Sequence, residues 1–142
     1  MPVATNEADC VFCAIVRGDT PAHRVLEDEA CIAFLDTRPI FHGHCLLVPR
    51  AHYETLPDVP EREVGALFRN AQRLARAVVG GLGADGTFVA INNRVSQSVP
   101  HLHVHVVPRR RKDGLRGFFW PRQKYESDEQ MEQFRSAIAG AL

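Results

Sequence analysis

The run HLHVHVVP, His101 to Pro108, decides how this chain is to be read. Side chains alternate across a strand, so His101, His103 and His105 are expected on one face and Leu102, Val104 and Val106 on the other. The aliphatic face calls for a core beneath it. The imidazole face then borders either solvent or a site, and three histidines in strict alternation favour a site. A rise of roughly 3.3 Å per residue sets neighbouring rings about 6.5 to 7 Å apart, close enough for all three to border one small anion or metal. Imidazole titrates near neutrality, so one ring can be neutral and nucleophilic while another donates a proton. Covalent catalysis at phosphorus is within reach of such an array.

Outward from this run, other apolar segments read as strands: HRVLEDE (His23 to Glu29), CIAFLD (Cys31 to Asp36), HCLLVP (His44 to Pro49, entered through Gly43) and Thr87 to Ile91. Their short connections imply antiparallel neighbours. Cys10 to Arg17 predicts a short helix ending at Gly18. Asp58, Pro60 and Glu61 form an N-cap signature before an apolar stripe of Val64, Leu67, Phe68, Ala71, Leu74, Ala75 and Val78, with Gly80 and Gly81 as the stop. A last amphipathic helix is expected from Ser127, with Met131, Phe134 and Ile138 on one face. Strands outnumber helices and cluster, so the expected class is α+β with an antiparallel sheet.

With 142 residues and no repeat or long linker, one domain spanning 1–142 is expected. No segment has the roughly 20 continuous apolar residues of a membrane helix, and MPVATNEADC lacks a signal peptide's basic and apolar stretches, so a cytoplasmic protein without membrane partners is expected. Lys plus Arg and Asp plus Glu number 17 each. No global field draws the chain to nucleic acid, and any phosphate binding must be local. Without a secretion signal the four cysteines do not suggest a disulfide framework. Cys31 and Cys45 read as small buried hydrophobes, whereas Cys10 and Cys13 read as half a zinc site or a redox pair.

HLHVHVVP resembles the signature of the histidine triad (HIT) family, in which His, apolar, His, apolar, His is followed by two apolar residues. The likeness extends through VFCAIVRGDTPAHRVLEDEACIAFLD, GHCLLVPRAHY, Asn92-Asn93 and Gln97-Ser98, covering about residues 10–108 and leaving a C-terminal loop and helix at 109–142. The resemblance implies a five-stranded antiparallel sheet with packed helices, continued across a homodimer. It also implies a nucleotidyl hydrolase or transferase acting on a nucleoside phosphoramidate, a dinucleoside polyphosphate or a related purine nucleotide. His103 would attack the α-phosphorus and form a nucleotidyl-histidine. His105 would contact phosphate and leaving group as acid or hydrogen-bond donor, with His101 and His44 completing the catalytic set.

The same resemblance implies that Phe12 and Ile15 line the base site, that Asp36 binds ribose hydroxyls, and that Asn92, Gln97 and Ser98 reach the phosphate. Here Ser96 stands where the family commonly has glycine. The segment from Asn92-Asn93 to His101 is about two residues shorter than the common pattern, and Arg94 occupies what is often a glycine-containing turn. Zinc-containing, Hint-like members use a C-x-x-C pair with two histidines, which assigns Cys10, Cys13, His52 and His101 to one structural zinc; no organic cofactor is implied. Spacing alone would not select His52 and His101 from seven histidines.

Two other classes bear on the same residues. A nucleotide-binding scaffold without turnover would keep the fold, but the intact triad argues for an enzyme. Arg109 to Lys112, followed by Gly114, Arg116, Phe118, Phe119 and Trp120, resembles an aromatic and basic nucleic-acid surface and leaves a nucleic-acid deadenylating enzyme as an alternative, against which stands the balanced charge.

Overall fold

The alternation of apolar residues fixes which faces of the sheet are covered, and in a computed structural model of the chain, which describes residues 7–116 and 121–142, both faces of the central strands are. Strands β1 (Arg24–Glu27), β2 (Cys31–Leu35), β3 (Cys45–Pro49), β4 (Gly86–Ala90) and β5 (Val104–Arg109) form one antiparallel sheet of order β1-β2-β3-β5-β4. Cys31, Ala33, Cys45, Leu47, Val104 and Val106 face one way and pack with Leu67, Ala71, Leu74 and Val78. The latter come from the long helix α2 (Glu61–Leu82). Ile32, Phe34, Leu46 and Val48 face the other way and pack with Cys10, Phe12, Cys13 and Ile15. The last three belong to the short helix α1 (Val11–Arg17). Two-sided burial explains why β2 and β3 read as continuous apolar runs rather than alternating ones.

The expected α+β class and antiparallel sheet are what the chain adopts, with departures at element ends. Helix α2 continues through Gly80 and Gly81, because both are exposed and a turn already begun tolerates glycine at modest loss. It ends at Gly83, whose φ of +64° is the left-handed C-cap. Its N-cap is Pro60, since the Asp58 carboxylate turns back to accept from the Thr55 amide and hydroxyl. The last strand, expected from the sequence over Leu102 to Val107, forms its ladder over Val104–Arg109, starting two residues later. Leu102 nevertheless remains in the core on the α2 side.

The last helix, α3 (Asp128–Ala139), starts where Ser127 Oγ accepts from the Gln130 amide, but Met131, Phe134 and Ile138 lie exposed rather than against the sheet. No helix of the described residues is long and apolar enough to cross a membrane. Phe118, Phe119 and Trp120 lie outside the described residues.

Candidate active site and metal centre

With α2 covering one face, the chemistry is confined to the other, where His103 and His105 follow the alternation set by β5. Their rings lie 4.9 Å apart, and His105 pairs across the ladder with Leu46. Together they form one wall of a cavity of about 590 Å³, within the size range of small-molecule sites. Phe12, Ile15, Leu46 and Val99 supply apolar lining, and Asp36 and Ser98 bring polar groups. Phe12 meets Phe34 edge-on at 5.4 Å and His103 at 5.2 Å, so the base-site candidate and the nucleophile candidate touch.

Backbone groups with only one possible role fix the hydrogens on the imidazoles. His103 Nδ1 lies 2.8 Å from the His101 carbonyl, which can only accept, so Nδ1 carries the hydrogen and Nε2 keeps a bare lone pair. His44 Nδ1 lies 3.1 Å from the Ile40 amide, which can only donate, so the hydrogen of the neutral His44 ring is on Nε2. His44 Nε2 is 3.0 Å from His105 Nδ1, and His105 therefore accepts there and bears its own hydrogen on Nε2. One ring of the cavity wall offers a lone pair and the next offers a hydrogen.

His44 reaches this position from a closed loop. The Asp36 amide donates to the His44 carbonyl at 2.9 Å, and the His44 amide donates to Phe41 O at 3.0 Å. Gly43 is required between them because its φ of +97° lies in the left-handed region; a Cβ there would meet the half-exposed Leu82 side chain, whose tip can move aside. Gly43→Ala is expected to lower stability by about 1–2 kcal/mol through left-handed strain, read as a lower denaturant midpoint.

Burial lowers the pKa of His44 and His103, and pushes that of His105 down to about 4, with the neighbouring His103 and His44 adding to the effect. All three are then neutral at pH 7. The unfolded chain, with imidazoles near 6.5, binds more protons, so this contribution to stability is complete above about pH 6.5 and declines as pH falls toward 4. His105 should stay neutral down to about pH 5 in an NMR titration; a midpoint near 6.5 would contradict its burial.

At the other end of the same run, His101 points away from the cavity mouth toward α1. Its Nδ1 lies 3.4 Å from Cys10 Sγ and 3.5 Å from Cys13 Sγ, and His52 Nδ1 lies 3.3 Å from Cys13 Sγ. All four ligand atoms fall within 4.8 Å of one another. Zn–S near 2.3 Å and Zn–N near 2.0–2.1 Å at tetrahedral angles give an S···N separation of about 3.5 Å, so this donor set fits zinc. The second nitrogen of His101 lies 2.9 Å from the Pro49 carbonyl and donates to it, which frees Nδ1 for a metal. Burial pushes the Cys13 thiol up to about 12, with Cys10 beside it adding to the shift, and a bound cation would be what draws the proton from Cys13.

Other expected residues are placed as follows. Asp36 lines the cavity, one carboxylate oxygen accepting from the Arg38 amide at 2.8 Å. Ser98 lines it as well. Gln97 is engaged elsewhere, its oxygen accepting from the Arg94 amide and its nitrogen donating to Glu54 O. Asn92 is exposed and is not among the cavity-lining residues, while Asn93 accepts from the Leu56 amide. Arg94 and Ser96 have φ of +69° and +61°, which explains why glycine suits these two positions. Thr20, His23 and Thr37 also border the cavity and went unnoticed in the sequence; His23 and Thr37 are exposed positions beside strand ends, where no periodicity marks them.

The HIT domain model matches residues 17–112. Adenylylsulfatase HINT3 of Arabidopsis thaliana is 38% identical over 114 residues, spanning 79% of this chain and 58% of that protein, so the chain covers less than two thirds of that relative's length. Adenosine 5'-monophosphoramidase HNT1 of Saccharomyces cerevisiae is 35% identical over 129 residues, covering 89% of this chain and 78% of that one. The crystal structure of a zinc-bound histidine triad family protein from Mycobacterium smegmatis superposes with a TM-score of 0.73 at 42% identity, covering 96% of this chain and 97% of that chain. With its domain match, its relatives and its histidine-lined cavity in agreement, this chain belongs to the HIT family.

Proposed function

We propose that the protein is a nucleotide hydrolase or transferase that attacks the α-phosphorus of a nucleoside phosphoramidate, a dinucleoside polyphosphate or a related purine nucleotide through His103. The observation that carries this reading is the bare Nε2 of a neutral, buried His103 on the wall of a cavity large enough for a nucleotide. The activities in the names of the Arabidopsis and yeast relatives support it.

Phe12 and Ile15 hold the base, and Asp36 takes the ribose hydroxyls with the oxygen not engaged by Arg38. His103 Nε2 forms a bond to phosphorus as the bond to the leaving group breaks, and its Nδ1–H stays on the ring against the His101 carbonyl. The imidazolium so formed is stabilised by that carbonyl. His105 Nε2–H and Ser98 donate to oxygens that gain charge. Gln97 acts through the loop it pins, and Asn92 contributes from the same loop. Water then attacks phosphorus, the N–P bond breaks, and His103 regains its lone pair as one water proton passes to the medium.

Cys10, Cys13, His52 and His101 hold a structural zinc that ties α1 to the start of the catalytic run. Two copies pair through the free edge of β4, where Val89 is exposed, extending the sheet across a homodimer.

Incubation with a panel of nucleoside phosphoramidates, dinucleoside polyphosphates and adenylyl sulfate, followed by acid-free mass spectrometry, tests the reading. One nucleotidyl group on His103 is expected with at least one class. Tight binding without adduct or turnover across the panel would instead establish a binding protein.

A further inference from the structure

Asp36, His44 and His105 bring a carboxylate and two imidazoles within 4.8 Å of one another, a donor set that elsewhere holds a metal. Here the hydrogens oppose it. The Ile40 amide donates to His44 Nδ1, and the hydrogen this leaves on His44 Nε2 occupies the space between the rings, 3.0 Å from His105 Nδ1. A cation there would have to displace that hydrogen while Nδ1 remained engaged, leaving an imidazolate. The Asp36 carboxylate lies 3.8 Å from His44 Nε2, beyond hydrogen-bond reach, and does not compete for it.

The geometry points to the backbone amide of Ile40 as a positioning group for the reaction: acting through His44, it fixes His105 as a hydrogen donor toward the cavity. The inference rests on the proposed attack by His103, to which it adds the origin of the donor. The Ile40 side chain is half exposed, so its amide is the part that reaches the site. An obligate donor here and an obligate acceptor at the His101 carbonyl give two rings of one wall opposite roles. Were the Ile40 N–H absent, nothing would oppose a hydrogen on His44 Nδ1. His44 Nε2 would then accept from His105 Nδ1–H, and His105 would turn a lone pair toward the phosphate.

The test combines histidine-selective 15N NMR of the full-length protein at pH 7.5 with an amide-to-ester replacement at residue 40, made by incorporating the α-hydroxy analogue of isoleucine. In the unmodified protein His44 and His105 should show Nε2–H and His103 Nδ1–H; Nδ1–H on His44 or His105 overturns the inference without need of the variant. In the ester protein the His44 and His105 signals should shift toward Nδ1–H. Turnover should fall at least tenfold, with a greater loss for substrates whose leaving groups are poor. Unchanged ring signals in a folded ester protein overturn the inference, as does an equal loss for good and poor leaving groups. Adduct formation on His103 separates the two levels: an adduct with unmoved tautomers removes the role of Ile40 alone, whereas no adduct with any substrate removes the reading on which it rests.

Discussion

His103→Ala is expected to lower turnover by about 10³-fold or more while nucleotide still binds, since on the proposed mechanism the reaction would lose its nucleophile and the cavity would keep its proposed base and ribose contacts. Phe12 and Ile15 sit on α1 and Asp36 just after β2; Phe12 meets the His103 ring at 5.2 Å, but it also meets Phe34 at 5.4 Å and packs with Ile15 among Ile32, Leu46 and Val48, contacts that remain when the imidazole is removed. Truncation leaves the His101 carbonyl without the imidazole that donates to it, and the space left is large enough for water to satisfy that oxygen. Circular dichroism should therefore report a folded protein. Turnover would be read alongside equilibrium dialysis of a non-hydrolysable nucleotide. Near-normal turnover by the folded variant would remove His103 from the mechanism, and loss of binding in step with turnover would show that its ring belongs chiefly to the pocket.

Cys13→Ala is expected to abolish tight zinc retention and lower stability by more than about 4 kcal/mol, a fall in Tm of roughly 10 °C or more for a chain of this length. The magnitude follows from what remains. Cys10, Cys13 and His101 are all buried, and without a cation their polar atoms face one another with no ionised partner. Elemental analysis of protein purified without added metal should give about one zinc per chain, and much less for the variant. Absence of zinc from both proteins, with equal melting temperatures, would remove the metal and leave four hydrogen-bonded side chains.

The alternation in HLHVHVVP made the division of the sheet legible, because period-two patterning places Leu102, Val104 and Val106 in the core whatever the rest of the chain does. The candidate catalytic rings followed from it. Their tautomers were not legible, since those depend on an amide at Ile40 and a carbonyl at His101, and backbone groups look alike in any sequence. His52 illustrates a different limit. It meets Cys13 at 3.3 Å across 39 residues, and nothing local to either residue announces the meeting. Gly80 and Gly81 misled for a third reason: propensity registers a weak helix former but not a turn already held by the one before it. The apolar stripe on α3 was read correctly as a stripe, but periodicity says only that a face is apolar, not which surface covers it.

Helix α1 is seven residues long and serves two places at adjacent positions: Phe12 and Ile15 line the cavity, while Cys13 joins the cluster of Cys10, His52 and His101. So short a helix has little stability of its own and takes its place from what it touches. If zinc and a nucleotide take these two places as proposed, both would draw on the same ordering free energy, and by thermodynamic reciprocity any factor by which one changes the other's affinity would be returned in equal measure. Chelator resistance would then become a gauge of nucleotide occupancy.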